Sequence, residues 1–254
     1  MCYEIRTLTL AKLKYARRYG DSFLDLRKLD ELLKRLTPIY YASGFDHPDL
    51  PVITNEKRDE IQMLNWGLIP HWTQSAADVA KIQNQTLNAR SETIFEKSSF
   101  KESILERRCL IIIDGFYEHH HKNKKTFPHH IVRKDREPIT LAGVWDTWRG
   151  NGMERKTLSI ITTRANKLMA RIHNNPKTSD GPRMPVILSQ EKEKEWLTVD
   201  DENQLKQLMV PADESELEAY TVTRLKGKQA VGNTESAILK YDYPELTSVQ
   251  TDLF

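Results

Sequence analysis

The run Cys109-Leu110-Ile111-Ile112-Ile113 constrains the fold more than any other stretch of the chain. It is too short for an ordinary helix, rich in β-branched isoleucine, and fenced by Arg107-Arg108 before it and Asp114-Gly115 after it. Such a segment reads as a strand buried on both faces. A strand of that kind needs apolar cover above and below, so the chain must build layers around it. Pro51 to Asn55, the polar turn Glu56-Lys57-Arg58-Asp59 and Ile61 to Leu68 read as a hairpin. Ile139 to Trp148, the turn Arg149-Gly150-Asn151-Gly152 and Thr157 to Thr163 read as a second. The helices are short. Leu24, Leu29, Leu32, Leu33 and Leu36 recur near helical spacing and predict one over 22–36, started by Asp21 or Ser22. Ser99 and Glu102 stand in capping-box spacing and predict another to about Arg107. Two more are predicted at 164–170 and, behind Ser189, at 190–197. Strands outnumber long helices and no regular βαβ alternation appears. The prediction is an α+β fold, a single domain over 1–240 with a mixed, barrel-like β-sheet surrounded by short helices, followed by a loose tail over 241–254.

Composition narrows the classes of function. No apolar run approaches the length that spans a bilayer, and Met1-Cys2-Tyr3-Glu4 lacks the basic-then-apolar opening of a secretory signal. Two distant cysteines make neither a disulfide scaffold nor a four-ligand zinc site. The expectation is a cytoplasmic protein, without membrane attachment, metal or cofactor. The net charge of +2 says little about partners. Its distribution says more. Residues 119–136 carry Lys122, Lys124, Lys125, Arg133, Lys134 and Arg136 against Asp135 alone, whereas 190–218 are strongly acidic. The basic segment reads either as a solvated hairpin tip or as an attraction for phosphates.

Cys2 is the most informative position for chemistry. Removal of Met1 would leave a residue carrying a thiol and a primary amine two carbons apart. An α-amine titrates near pH 7.7–8.0 and lysine near 10.4, so roughly a third of the former is unprotonated at about pH 7.5. Such an amine attacks carbonyls readily, and the adjacent thiol can close a five-membered ring on the resulting imine. Cys109, inside its apolar strand, reads as an inert core thiol. Glu118 follows a strand directly in Asp114-Gly115-Phe116-Tyr117-Glu118, and reads either as a solvated strand-end carboxylate or as one whose partial desolvation suits it to acid–base work. Leu87-Asn88-Ala89-Arg90-Ser91-Glu92-Thr93 offers an amide and a guanidinium, the latter a fork for phosphate. His173, ahead of the spacer Asn174 to Pro182 and then Arg183-Met184-Pro185, suits proton transfer at physiological pH. His119-His120-His121 invites a metal reading, but neighbours on a strand point to opposite faces. Trp66 and Trp72 flank the turn at Pro70 and read either as half-buried core tryptophans or as aromatic faces for unpaired bases.

The order of these segments is more specific than any of them. Cys2, Trp66-Gly67-Leu68-Ile69-Pro70-His71-Trp72, Asn88-Ala89-Arg90-Ser91-Glu92, Gly115-Phe116-Tyr117-Glu118, Ile161-Thr162-Thr163, and His173 with Arg183-Met184-Pro185-Val186-Ile187-Leu188 resemble the SOS response-associated peptidase family of abasic-site-processing, DNA–protein crosslinking proteins. The resemblance implies that Cys2 captures the ring-opened sugar of an abasic site in single-stranded DNA, first as an imine and then as a thiazolidine. It casts Asn88 as holding the N-terminal residue or the sugar, Glu118 as managing proton transfers and His173 as assisting ring opening or reversal. Arg90 and Arg183 would contact phosphates, and Trp66 and Pro70 would pack near the flanking bases. The implied partner is abasic single-stranded DNA bound by a monomer, nucleoid-associated when engaged. Alternative readings are an N-terminal-cysteine thiol peptidase that removes its own Met1, and a non-covalent single-strand binder. The family usually opens Cys-Gly-Arg where this chain has Cys2-Tyr3-Glu4, and Arg6 is the candidate replacement.

Overall fold

The computed structural model describes residues 2–7, 38–150, 152–176 and 180–247. The helix predicted over 22–36 lies outside the described residues. Thirteen strands form among the described residues: β1 (Glu4–Thr7), β2 (Ile39–Ser43), β3 (Asp49–Thr54), β4 (Gln62–Trp66), β5 (Asn88–Arg90), β6 (Arg108–Ile113), β7 (Gly115–Lys122), β8 (Lys125–Arg133), β9 (Ile139–Gly150), β10 (Met153–Arg164), β11 (Arg183–Pro185), β12 (Ile187–Leu188) and β13 (Leu217–Thr221). Between them lie α1 (Ala76–Gln85), α2 (Lys101–Glu106), α3 (Lys167–Ile172), α4 (Gln190–Thr198), α5 (Glu202–Leu208) and α6 (Pro244–Thr247). Among the described residues no helix is long and apolar enough to cross a membrane.

Both predicted hairpins form, β3–β4 and β9–β10. The barrel closes because β10 also runs parallel to β4, with Thr157 opposite Asn65 and Leu158 opposite Trp66, while β3, β6 and β9 complete the ring through antiparallel pairs. A second sheet, in the order β13-β8-β7-β1-β2, holds β1 between β7 and the edge strand β2. The α+β, barrel-like expectation holds.

Every residue of β6 is buried. Alternation sends Cys109, Ile111 and Ile113 into one core, with Trp66, Leu158 and Ile160, and Leu110 and Ile112 into another, with Trp196, Ile104 and Leu205 from the helices. Arg108 heads the strand at 1% exposure. Its guanidinium donates to Ile104 O and Leu105 O at the end of α2 and to Trp196 O and Val199 O at the end of α4. A buried cation thus satisfies the carbonyls that two helix ends leave open.

Two caps differ from expectation. α2 starts after Phe100 with no side-chain cap, because Lys97 O already accepts the Phe100 and Lys101 amides as a run of turns feeds the helix. Ser189 does precede α4, but it is the backbone carbonyl, accepting from Lys192 and Glu193, that caps, and the hydroxyl does not. The third helix begins later than predicted, at Lys167, where Asn166 accepts from the Met169 amide. The basic segment is the β7–β8 hairpin, its turn made by Asn123 and Lys124 at φ 51° and 60°. Two of its lysines are held by the C-terminal segment: Lys122 Nζ donates to Glu245 O at 2.8 Å and Lys125 Nζ meets the Glu245 carboxylate at 3.0 Å. Tyr243 in the same segment is buried against Phe127, its hydroxyl donating to Val222 O, while Tyr241 is exposed. The remainder of the segment expected to be loose lies outside the described residues.

Candidate functional site

The N-terminal strand sets the site. β1 pairs with β7, Ile5 opposite Phe116 and Arg6 opposite Gly115, which brings the residues preceding β1 alongside those following Tyr117. Glu118 is the fourth residue of β7 and is 9% exposed. Its Oε1 accepts the His119 amide at 3.0 Å, and its Oε2 lies 3.5 Å from His173 Nδ1. His173 caps the C-terminus of α3 and is 5% exposed. The next residue, Asn174, clasps β7 by accepting the His121 amide and donating to His121 O, which holds the imidazole over Glu118. The spacer between His173 and Arg183 does not separate them. The Arg183 amide lies 3.2 Å and its carbonyl 3.0 Å from His173 Nδ1. A cavity of about 380 Å³ opens here, lined by Tyr3, Glu118, His119, His173, Arg224 and Lys226 among others.

Cys2 lies behind this wall at 1% exposure, in the core shared with Ile5, Trp66, Leu87 and Met169. Its thiol faces Glu4 O at 3.9 Å. Burial, reinforced by the Glu118 carboxylate, pushes the thiol up to about 12 from an ordinary 9.0. At neutral pH the sulfur keeps its proton.

Asn88 opens β5, which lies parallel to β10 with Ile160 opposite it. Both its Nδ2 and its Oδ1 are buried without a hydrogen-bond partner among the described residues. An unpaired buried amide carries a desolvation cost that a bound polar group would relieve. Among the sequence candidates, Glu118 and His173 line one cavity wall with Cys2 buried behind it, and Asn88 is left with its hydrogen bonds unmade.

The expected DNA contacts divide. Arg90 is partly exposed and pairs with Asp180 at 2.6 Å, a contact open to exchange. Arg183 is 4% exposed, grips Glu92 with both terminal nitrogens at 3.1 and 2.7 Å, and gives Nε and Nη2 to Thr162. With its fork filled from inside the protein, Arg183 positions the His173 segment and presents nothing to a phosphate in this conformation. Trp66 and Pro70 are also buried and offer no face to a base. The Trp66 ring fits so closely against Gly44 that a Cβ there would meet it at 3.1 Å, while its Nε1 donates to Leu87 O. Sequence reasoning missed Glu4 with Lys226 and Arg224, because no local pattern links the first strand to a loop near the end of the chain.

A closed mixed barrel, with a histidine–carboxylate pair set against the start of the chain, defines a structural class. The family model described as SOS response associated peptidase (SRAP) matches residues 13–229, and the chain belongs to that family. Abasic site processing protein YoqW of Bacillus subtilis (strain 168) is 38% identical over 180 residues, 69% of this chain and 75% of the relative. YoaM of the same organism, also an abasic site processing protein, is 36% identical over 211 residues, 81% and 87% of the two chains. Abasic site processing protein HMCES of Xenopus tropicalis is 32% identical over 155 residues, 53% of this chain and 44% of that one. A crystal structure of a protein from Bacteroides thetaiotaomicron superposes with a TM-score of 0.81 at 34% identity, covering 94% of this chain and all of that one.

Proposed function

We propose that this protein handles abasic sites in single-stranded DNA by covalent capture through Cys2 once Met1 has been removed. The observation that carries the reading is the burial of Cys2 within the electrostatic reach of Glu118, directly behind a cavity that Glu118 and His173 line 3.5 Å apart. The chemistry follows from the groups. The α-amine nitrogen attacks C1′ of the ring-opened sugar, and the carbonyl oxygen, twice protonated, leaves as water to give an imine. Sulfur then bonds to the same carbon. Its proton passes to the carboxylate of Glu118 and on to the imine nitrogen, which ends as the ring amine of a thiazolidine. One water is released and nothing is oxidised or reduced. Glu118 is set to move these protons and His173 to assist ring opening or reversal. The unmade hydrogen bonds of Asn88 suit it to hold the terminal residue or a sugar hydroxyl.

The raised thiol favours this reading over a peptidase. A cysteine peptidase that removes its own Met1 needs a ready thiolate while Met1 is still attached, whereas in that form burial keeps Cys2 protonated. Imine formation uses the amine, and the thiol is needed only for closure. Single strands treated with uracil glycosylase should give a denaturant-resistant, gel-shifted species that intact strands do not. Turnover of a peptide panel by the Cys2 thiol, without such a species, would contradict the proposal.

A further inference from the structure

The capture chemistry leaves Glu4 without a task, yet it is among the most deliberately held carboxylates in the molecule. It is 2% exposed on β1. Its Oε2 lies 3.0 Å from His119 Nε2 on β7, its Oε1 pairs with Lys226 Nζ, and the Tyr41 side chain of β2 hydrogen-bonds it. Burial works to raise its titration point, but His119 and then Lys226 outweigh burial and hold the carboxyl below the usual range. It is therefore charged at neutral pH. The loop bearing Lys226 is pinned too. Leu225 is 3% exposed in a small core with Tyr117, Val222 and Ala237, and the Val231 amide donates to Arg224 O. Arg224 and Lys226 flank this anchor and line the same cavity as Glu118 and His173.

We propose that Lys226 and Arg224 form a phosphate-holding site at the rim of the cavity, with Glu4 as the positioning residue that fixes Lys226 there. The ligand is a phosphodiester anion of single-stranded DNA beside the captured sugar, so the inference rests on the function proposed above. A lysine on a free four-carbon stem loses much rotamer entropy when it binds, and the bond to Glu4 removes that freedom in advance. The ammonium carries three donors, and the Lys226 side chain remains 58% exposed, so donors remain for a phosphate oxygen. The guanidinium of Arg224 supplies a second, charge-assisted set. A diester with one negative charge suits a cavity that also holds Glu118 better than an inorganic phosphate with nearly two.

The test is anisotropy of a single-stranded oligonucleotide carrying tetrahydrofuran, which has no aldehyde and cannot crosslink, titrated across a KCl series. Lys226→Ala should weaken binding several-fold and reduce the slope of log affinity against log salt by about 0.7, one single-strand phosphate contact. Lys226→Arg should keep the slope, and Lys194→Ala, on the exposed face of α4, should change neither quantity. Glu4→Gln should also weaken binding, although it removes a negative charge. Net charge alone predicts the opposite sign. An unchanged slope in Lys226→Ala, or tighter binding by Glu4→Gln, overturns the site. Should Glu4→Gln fail to fold, Lys226→Ala decides alone. Inorganic phosphate at matched ionic strength should leave oligonucleotide affinity unchanged. Displacement by it from the wild type but not from Lys226→Ala would make this a free-phosphate site and overturn the DNA assignment. An aldehydic strand separates the two readings. Normal adduct yield with an unchanged Lys226→Ala slope overturns the phosphate site alone, whereas a missing adduct with the expected slope change overturns capture alone and supports the site.

Discussion

Cys2 and Cys109 are both unpaired and both almost wholly buried, at 1% and 0% exposure, and both share one apolar core. Burial raises both thiols. What differs is the rest of the neighbourhood. For Cys109 burial is the only influence, and the sulfur is wedged so tightly that a Cβ on Gly143 would meet it at 2.9 Å. Cys2 has in addition the charges of Glu118 and Glu4 and a backbone carbonyl within reach, and Glu118 in turn lines an open cavity. A buried thiol becomes a candidate nucleophile through the groups that can take its proton and the space that can admit a substrate, not through its own acidity.

The largest expected effect breaks the pair apart. Cys2→Ala should abolish the denaturant-resistant adduct with abasic single strands, and Cys109→Ala should leave its yield at the wild-type level. Quantitative gels on both variants, with folding checked by circular dichroism, read the outcome. Loss of adduct in both would mean that the core, and not the chemistry, governs capture.

Next in size is Glu118→Gln, which keeps shape but removes the proton acceptor. Adduct formation should slow by roughly 10²- to 10⁴-fold, the span of a general acid–base group, while binding of the tetrahydrofuran strand stays within about twofold. Single-turnover kinetics beside anisotropy separate the two quantities. An unaffected rate would move proton transfer to another group.

Alkaline stability tests the feature the cysteines share. A thiol raised on folding contributes stability that is fully present below its unfolded value near 9 and is lost as pH climbs toward the folded value. Each such thiol should remove about 1.4 kcal/mol of unfolding free energy per pH unit above about pH 9. Cys109→Ala should therefore lose stability less steeply than the wild type between about pH 9 and about pH 11, by one proton's worth. Urea unfolding at several pH values measures the slope, and parallel slopes would show that the Cys109 thiol is not raised.

The smallest effect is steric. At about pH 7 Cys109→Ala should cost about 1 kcal/mol and about 3 °C in Tm, as expected for removing one buried atom from a close-packed wall. The thermal shift should be the same with and without DNA.

Much of the frame around these residues was legible from the chain. The run at Cys109 to Ile113 carried its own evidence of two-sided burial, and the hairpins at 51–68 and 139–163 were marked by turn chemistry between apolar stretches. Closure of the barrel was not, because the parallel pairing of β10 with β4 and β5 joins distant segments and leaves no local periodicity. The same holds within the site. Residue type and family order single out Cys2, Glu118 and His173, but the pairing of β1 with β7 brings Cys2 near Glu118 and Asn174 clasping β7 brings His173 there. Arg183 was expected at a phosphate because a guanidinium in a polar stretch looks available. Its partner Glu92 lies far off in sequence and fills the fork. Trp66 looked like a base platform beside Pro70, yet the alternation of β4 turns it inward. In each case the error concerns burial, which sequence spacing alone does not settle.

The central claim is that amine and thiol of one terminal residue close together on the lesion's carbon. Mass spectrometry of the nuclease-trimmed adduct, without borohydride treatment, addresses it most directly. The expected product is an N-terminal peptide beginning at Cys2, lacking Met1, carrying the sugar remnant less one water, with the Cys2 thiol no longer open to alkylation. A remnant on any other residue, or on a peptide that still begins with Met1, would contradict it.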